Sequence, residues 1–439
     1  MNTFPKIAAF YTIGCRLNQA ESALLCGRLE QQGCRIVEIN AAEQIDLIIV
    51  NTCTVTGNAA RKSRQIARKL KKEHPNACLV VTGCSAEIEN SFWVDEAWVD
   101  LVLPNPEKKN IVTHLQRLMT NEALADFSFS PQQEVEQLFY EEAGASFPFK
   151  SRAFLKIQEG CNNFCTYCIV PYARGRERSR SRSEVIADFK RLLANGFREI
   201  VLVGVNVSTY NDHGCKLADL LAELCQESGS YRIRLSSTEP QLGNMQLIDV
   251  MAANPKICRF LHLSLQHGSD TILKSMNRKY TTAQFAEFMA EAKQQIPGIH
   301  LGTDVIVGFP GETDELFAES AEFIRRMEFA NVHIFTYSPR EGTPAATYPN
   351  QVAAQIAKIR YNSLTEIAEV SKRKFIQSQL KYQQQVIFER CNKDGLYEGW
   401  SDNYVGCLVD DQNIQTNIIT NVMPYKITTD DRLLCEVVN

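Results

Sequence analysis

No stretch of this 439-residue sequence reaches the ~18 consecutive apolar residues that a membrane span needs. The N-terminus, MNTFPKIAAFYTIGCRLNQAES, also lacks the basic start, apolar stretch and small-residue cleavage site of an export signal, and reads as cytosolic. An excess of one charge is missing as well. Lys/Arg and Asp/Glu number 42 against 42 over residues 1–380, and the net charge of −4 comes from residues 381–439, with 5 against 9. A polyanionic partner must therefore be held by local basic clusters, because the whole-chain field will not attract it. Nor is there an even set of cysteines. Fifteen cannot all pair internally, and the density is far below that of a disulfide scaffold. In a reducing compartment, grouped thiols are more often metal ligands or catalytic groups than bridges.

What is present is a soluble globular composition, 44% hydrophobic and 22% charged, at a length that implies two or three domains. Apolar runs at Ile7–Ile13, Asp46–Asn51 and Ala77–Thr82 read as buried parallel strands. Each leads into a helical stretch, Glu21–Gln32, Arg61–Lys72 and Ser85–Glu96, so a doubly wound α/β domain is expected over residues 4–116. A polar, acidic linker is expected at 117–146. From 147 to 376 the alternation resumes, with strands at Ala153–Gln158, Glu199–Val203, Tyr231–Ser236, Phe260–Gln266, His300–Val307 and Asn331–Tyr337. Six βα units fall two short of a closed eightfold barrel and predict an open, partial (β/α)6 barrel. After a helix near Gln351–Ser378, short β pieces at Gln385–Arg390, Gly395–Trp400, Tyr404–Val409 and Leu433–Val438 predict a small OB-like barrel over 379–439.

Directly after the first barrel strand comes EGCNNFCTYCIVPYARGRERSRS, with Cys161, Cys165 and Cys168 within eight residues. Offsets of four and three also describe one face of a helix, where free cysteine packs as a small hydrophobe. Gly160, Asn162, Asn163 and Pro171 argue instead for a loop at the carboxyl end of a strand, where barrel enzymes place their chemistry. Such thiolates bind zinc or an iron–sulfur cluster. Strand-end residues facing the same place, Asn206, Gln266, Asp304 and Gly308, are candidate cofactor contacts, with strand capping as the plainer reading. A second triplet is dispersed: Cys15 in TIGCRLN, Cys53 in VNTCTVT and Cys84 in VTGCSAE. Each follows a predicted N-terminal strand, so a parallel sheet brings all three to its carboxyl edge. Three unrelated buried thiols are the alternative.

CxxxCxxC after the first strand of a partial barrel resembles the radical S-adenosylmethionine (SAM) enzymes. Together with GCRLN, NTCTV and GC near the N-terminus, it resembles the methylthiotransferase family, and the likeness extends through LSSTEP (235–240), HLSLQHGSD (262–270) and DVIVGFPGE (304–312). The resemblance implies two [4Fe–4S] clusters, one held by Cys161, Cys165 and Cys168 and an auxiliary one by Cys15, Cys53 and Cys84. It also implies SAM as cofactor, with Tyr167 against it, cleaved to a 5′-deoxyadenosyl radical by an electron from a donor such as flavodoxin or ferredoxin. YEGWSDNYVG (397–406) resembles a TRAM domain, which holds RNA in the tRNA-modifying branches, although a net charge of −4 suits phosphate poorly.

Arg174, Arg176, Arg178, Arg180 and Arg182 alternate, which in an extended loop places them on one side to grip phosphate. The stretch Arg61–Lys72, with seven cations and no acid, is a second candidate for the same mouth. GCRLNQAES, NTCTVTGNAARKSRQ and PYARGRERSR look most like the branch acting on N6-threonylcarbamoyladenosine at position 37, beside the tRNA anticodon. The isopentenyladenosine branch more often has GCQMN, with Asp at the place of Glu21. The expectation is a monomeric tRNA methylthiotransferase. A sister branch acting on an aspartate of a ribosomal protein, and a zinc-bearing RNA-binding module without catalysis, are the rivals.

Overall fold

The computed structural model describes residues 4–120, 151–239 and 245–438. Most of the expected linker, and Pro240 of LSSTEP, lie outside the described residues.

The N-terminal strands β1 (Ile7–Thr12), β2 (Arg35–Val37), β3 (Leu47–Thr52), β4 (Cys78–Gly83) and β5 (Leu101–Leu103) form one parallel sheet in the order β2-β1-β3-β4-β5. All six residues of β3, LIIVNT, are buried because helices cover both faces. Ile48 and Val50 pack toward α2 (Gly57–Glu73), whereas Leu47 and Ile49 pack toward α1 (Arg16–Gln31). Two corrections follow. The three-residue edge strands β2 and β5 went unpredicted, and the expected helix Ser85–Glu96 is two short turns, Cys84–Ile88 and Asn90–Val94, broken at Glu89.

The second region holds six parallel strands: β6 (Arg152–Lys156), β7 (Glu199–Val203), β8 (Arg232–Leu235), β9 (Phe260–Gln266), β10 (His300–Val307) and β11 (Asn331–Thr336). They pair in chain order, and β8 continues through Ser237–Thr238, which pairs with β9. Among the described residues β6 and β11 each have one strand neighbour, so the barrel is open, as expected. On β7, Ile200 and Leu202 face the helical shell. Val201 and Val203 face inward and meet Leu17 and Ala20 of α1. A helix of the N-terminal region thus packs on the concave face of the partial barrel.

Five strands, β12 (Gln384–Cys391), β13 (Tyr397–Ser401), β14 (Gly406–Val409), β15 (Ile419–Ile427) and β16 (Leu433–Val437), close the C-terminal barrel in the order β12-β13-β14-β16-β15. β15 was not foreseen because Pro424 stands inside it. The structure accommodates that proline at a register shift, where the ladder does not need its missing N–H. This barrel is fastened to the amino ends of the central strands by arginine–carbonyl bonds. Arg232 donates to Gln385 O (2.6 Å) and Trp400 O (2.9 Å), and Arg234 to Ser401 O (3.0 Å) and Asp402 O (2.9 Å). No helix of the described residues is long and apolar enough to cross a membrane.

Candidate active site

Cys15, Cys53 and Cys84 follow β1, β3 and β4 and meet at one edge of the N-terminal sheet. The sheet's strand order reverses between β1 and β3, so Cys15 and Cys53 flank the switch point at which open α/β sheets bind ligands. Asn18 ties two of these turns together, donating to Ile13 O (2.8 Å) and Thr52 O (2.9 Å), and Ser63 Oγ braces Cys53 from both sides of its peptide. Gly14 is glycine for two reasons. Its φ is +106°, and a Cβ there would come within 2.8 Å of Cys53 Cβ and 3.0 Å of its Sγ. Gly14→Ala is expected to cost about 1–3 kcal/mol in strain and to push the Cys15 turn off Cys53. Iron analysis should then show loss confined to the auxiliary set.

The Cys161–Cys168 segment is a loop, not a helix. Among the described residues its hydrogen bonds run to its own region. Thr166 N donates to Met276 O (3.1 Å), Asn277 Nδ2 to Asn163 O and Phe164 O (both 3.1 Å), and Ala345 N to Thr166 O (2.9 Å). Arg278, which the sequence reading did not single out, donates to Cys165 Sγ (3.3 Å) and pairs with Glu239 (2.8 Å).

All six cysteines line a single cavity of about 940 Å³ that runs through the open barrel to Trp400 and Tyr404 of the C-terminal barrel. Tyr167, Asn206, Gln266 and Asp304 line it too. Gln266 closes β9 with φ +70°, a conformation rare outside glycine. Asp304 Oδ1 lies 3.0 Å from His262 Nε2. Asn206 accepts from Ser208 Oγ (2.6 Å), while its own Nδ2 is buried and without a partner among the described residues. Gly308 is a correction. It does not line the cavity, and a Cβ on it would meet Ala357 Cβ at 2.7 Å, so the close neighbour that demands glycine is the long helix Ala354–Ser378.

The arginine run is corrected more deeply. Val170–Arg174 is a helical turn, Gly175 reverses the chain at φ +72°, and Arg178–Ser179 pairs with Gln158–Glu159, so the run is not one extended face. Arg174 is buried against Glu21 (2.7 Å), Glu159 (3.1 Å) and Asn18 (2.6 Å). Arg180 is buried on Asp188. Arg178 is half-buried and donates to Arg174 O (3.1 Å) and Arg176 O (3.0 Å). Arg176 is exposed over the Phe164 ring (4.5 Å), and Arg182 is exposed but paired with Glu223. On α2, Arg64, Arg68 and Lys71 pair with Glu89, Glu96 and Asp100.

Residues 7–104 match the uncharacterized protein family UPF0004, and residues 155–324 match the radical SAM superfamily. The threonylcarbamoyladenosine tRNA methylthiotransferase MtaB of Bacillus subtilis is 35% identical over 413 residues, which is 90% of this chain and 89% of that relative. MtaB of Thermotoga maritima is 34% identical over 91% and 90%. A tRNA-2-methylthio-N(6)-dimethylallyladenosine synthase of Clostridium botulinum is 35% identical over 83% and 82%. This chain belongs to the radical SAM methylthiotransferase family. In fold it is also similar to the radical SAM methyltransferase TsrM of Kitasatospora setae, with a TM-score of 0.59 at 15% identity, covering 78% of this chain and 77% of that one.

The family uses [4Fe–4S] clusters and SAM, and the donor set fits them. Among the described residues, no three His, Cys, Asp or Glu side chains are grouped around a single metal ion. Cys15, Cys53 and Cys84 line the cavity from the N-terminal region and Cys161, Cys165 and Cys168 from the central region, and thiols in threes are the donor chemistry a [4Fe–4S] cluster takes. Burial pushes the Cys53 and Cys168 thiols up to about 12 and Cys161 to about 11. Loading a metal group must therefore displace protons from these sulfurs. The Asn206 amide, three residues past β7, has no partner for its buried Nδ2 among the described residues and is a donor for a cofactor in this cavity.

Proposed function

We propose that this protein is a tRNA methylthiotransferase that converts N6-threonylcarbamoyladenosine 37 to its 2-methylthio derivative. One observation carries the reading: two cysteine triplets, from regions far apart in sequence, open onto one cavity large enough for a cofactor and an extruded base. On this reading Cys161, Cys165 and Cys168 hold the cluster that binds SAM, and Cys15, Cys53 and Cys84 hold the auxiliary cluster. Bound there, these groups supply the electron that cleaves SAM and the sulfur that is donated. The chain's own residues bind and orient. Arg278 donates to Cys165 and is itself fixed by Glu239. Asn206, Gln266, Asp304 and Tyr167 line the cofactor's side of the cavity, and the buried guanidinium of Arg174 offsets negative charge near Cys84. A one-electron donor such as flavodoxin or ferredoxin and a monomeric state complete the proposal.

The similarity of the chain to relatives of both tRNA branches makes the base the point to test. Mass spectrometry of tRNA nucleosides from a strain lacking this gene should show loss of the 2-methylthio form of threonylcarbamoyladenosine. Loss of the isopentenyl derivative instead would assign the chain to the sister branch. Of the arginine run, Arg176 is the one left exposed without a carboxylate partner among the described residues. Arg176→Ala is expected to weaken tRNA binding and lower the slope of log affinity against log salt by about one phosphate contact. Filter binding across a salt series, with both clusters retained, checks this.

A further inference from the structure

Five Lys or Arg side chains line the cavity: Arg16, Arg174, Arg278, Lys372 and Arg432. Four of them are already committed to acidic partners. Arg174 is held by Glu21 and Glu159, Arg278 by Glu239, Lys372 by Asp431, and Arg432 by Asp430 and Glu398. Arg16 alone pairs with no carboxylate among the described residues. Its guanidinium donates weakly to Leu235 O (3.5 Å) and lies over the rings of Phe260 (5.6 Å) and Tyr404 (5.4 Å). Tyr404 also accepts a hydrogen bond from it, Glu199 attracts it from beyond ion-pair distance and Arg234 repels it, so this half-buried cation is only partly compensated. Next along the chain from that carbonyl, Ser236 also lines the cavity. Its hydroxyl is buried and has no partner among the described residues. A cation with no ion-pair partner and a hydroxyl with none, among the described residues, thus face the cavity that Cys15 also lines.

We infer that Arg16, assisted by Ser236, grips the carboxylate of the amino-acid group carried on N6 of the target adenine, and so sets which modified base is accepted. The inference rests on the proposed function. Its chemistry follows from the two candidate bases: a threonylcarbamoyl group ends in a carboxylate, whereas an isopentenyl group has no polar atom at all. A planar guanidinium takes a carboxylate through two parallel hydrogen bonds. C2 and C6 of adenine flank N1 on the same ring. A grip for the C6 substituent therefore belongs in the same cavity as the cysteine group that serves C2, and Arg16, next to Cys15 in sequence, extends from that turn along the cavity toward Phe260 and Tyr404. A site built around a half-buried cation that has no ion-pair partner among the described residues also disfavours an apolar substituent, which would leave that cation unpaired. The same carboxylate chemistry could come from the methionyl end of SAM, so the test separates the two.

The experiment uses the full chain with both clusters reconstituted without oxygen. Three anticodon stem-loops serve as probes, bearing threonylcarbamoyladenosine, its analogue lacking the carboxylate, or plain adenosine at position 37. Fluorescence anisotropy measures their affinities, and steady-state turnover separates KM from kcat. Arg16→Gln is expected to weaken the threonylcarbamoyl probe by about 10- to 100-fold, mainly in KM, and to erase its advantage over the other two probes. Arg16→Lys should restore part of that advantage, which a merely structural role would not. Equal weakening of all three probes overturns the inference, as does retention of the advantage. A larger loss in SAM affinity, measured without RNA, assigns the carboxylate to SAM and also overturns it. If the unmutated protein shows no preference for the threonylcarbamoyl probe, the proposed substrate falls rather than the role of one residue.

Discussion

Alanine at Cys161, Cys165 or Cys168 abolishes SAM cleavage, whereas alanine at Cys15, Cys53 or Cys84 leaves cleavage standing and stops methylthio transfer. That is the expected result, and its basis is that the two triplets are braced independently. The Cys161–Cys168 loop hangs from Met276, Asn277 and Ala345, all in the central region. The other three thiols are set by β1, β3 and β4 and by Asn18 and Ser63 of their own helices. Removing one sulfur takes a three-ligand group down to two, which a cluster does not survive, while the other site keeps every brace. Iron per chain should therefore fall from about eight to about four in either set. Chromatography of 5′-deoxyadenosine then tells the sets apart, with none above background for the first and near-normal amounts for the second. Loss of cleavage in the second set would sink the division of labour.

The parts legible in the sequence are those governed by short-range pattern. Buried parallel strands such as LIIVNT are apolar on both faces and announce themselves, and six barrel strands in series put their ends where chemistry was expected. The convergence of Cys15, Cys53 and Cys84 was also readable, because strand-end position in a parallel sheet is a spatial statement. The arginine run was not. Its alternation assumed an extended loop, while Gly175 and the helical turn before it rotate Arg174 inward, toward a glutamate 153 residues away. No local pattern reports that partner. Gly308 failed for a related reason: a glycine at a strand end signals a close neighbour but not which one, and here it is Ala357. Arg16 was passed over because what sets it apart is the absence of a carboxylate partner among the described residues, a property of the assembled cavity.

Glu21→Gln should be the most destabilising single substitution at the junction of the N-terminal and central regions. Glu21 is fully buried and receives Lys108 (2.5 Å), Arg174 (2.7 Å) and Lys156 (3.4 Å), and a second acid, Glu159, receives Lys156 (2.6 Å), Arg174 (3.1 Å) and Arg178 (3.7 Å), while burial pushes the nearby Glu87 carboxyl up to about 7. Four cations already face two carboxylates. Neutralising Glu21 leaves those four with Glu159 as their one directly paired carboxylate in the group, in a largely buried place, which costs about 3–5 kcal/mol. Burial by itself would raise the carboxyl pKa of Glu21, but Arg174, Lys108 and Lys156 outweigh it and hold the value well below the usual range. A depressed folded value stabilises the native state fully above the unfolded value of about 4.3, and that contribution is lost as pH falls through the lower folded value. The unmutated protein should therefore lose stability on acidification below about pH 4, and Glu21→Gln should have lost that component at every pH. Urea titrations followed by the fluorescence of Trp93 and Trp98, which lie in the N-terminal region, read both effects. Glu21→Asp is the informative control. It keeps the charge but withdraws it by one methylene from three donors that converge from two regions, so it should fall between the other two. A Gln variant within about 1 kcal/mol of the unmutated protein would mean that the cations are compensated from elsewhere, and the junction would have to be explained by its apolar contacts, Leu17 and Ala20 on Val201 and Val203.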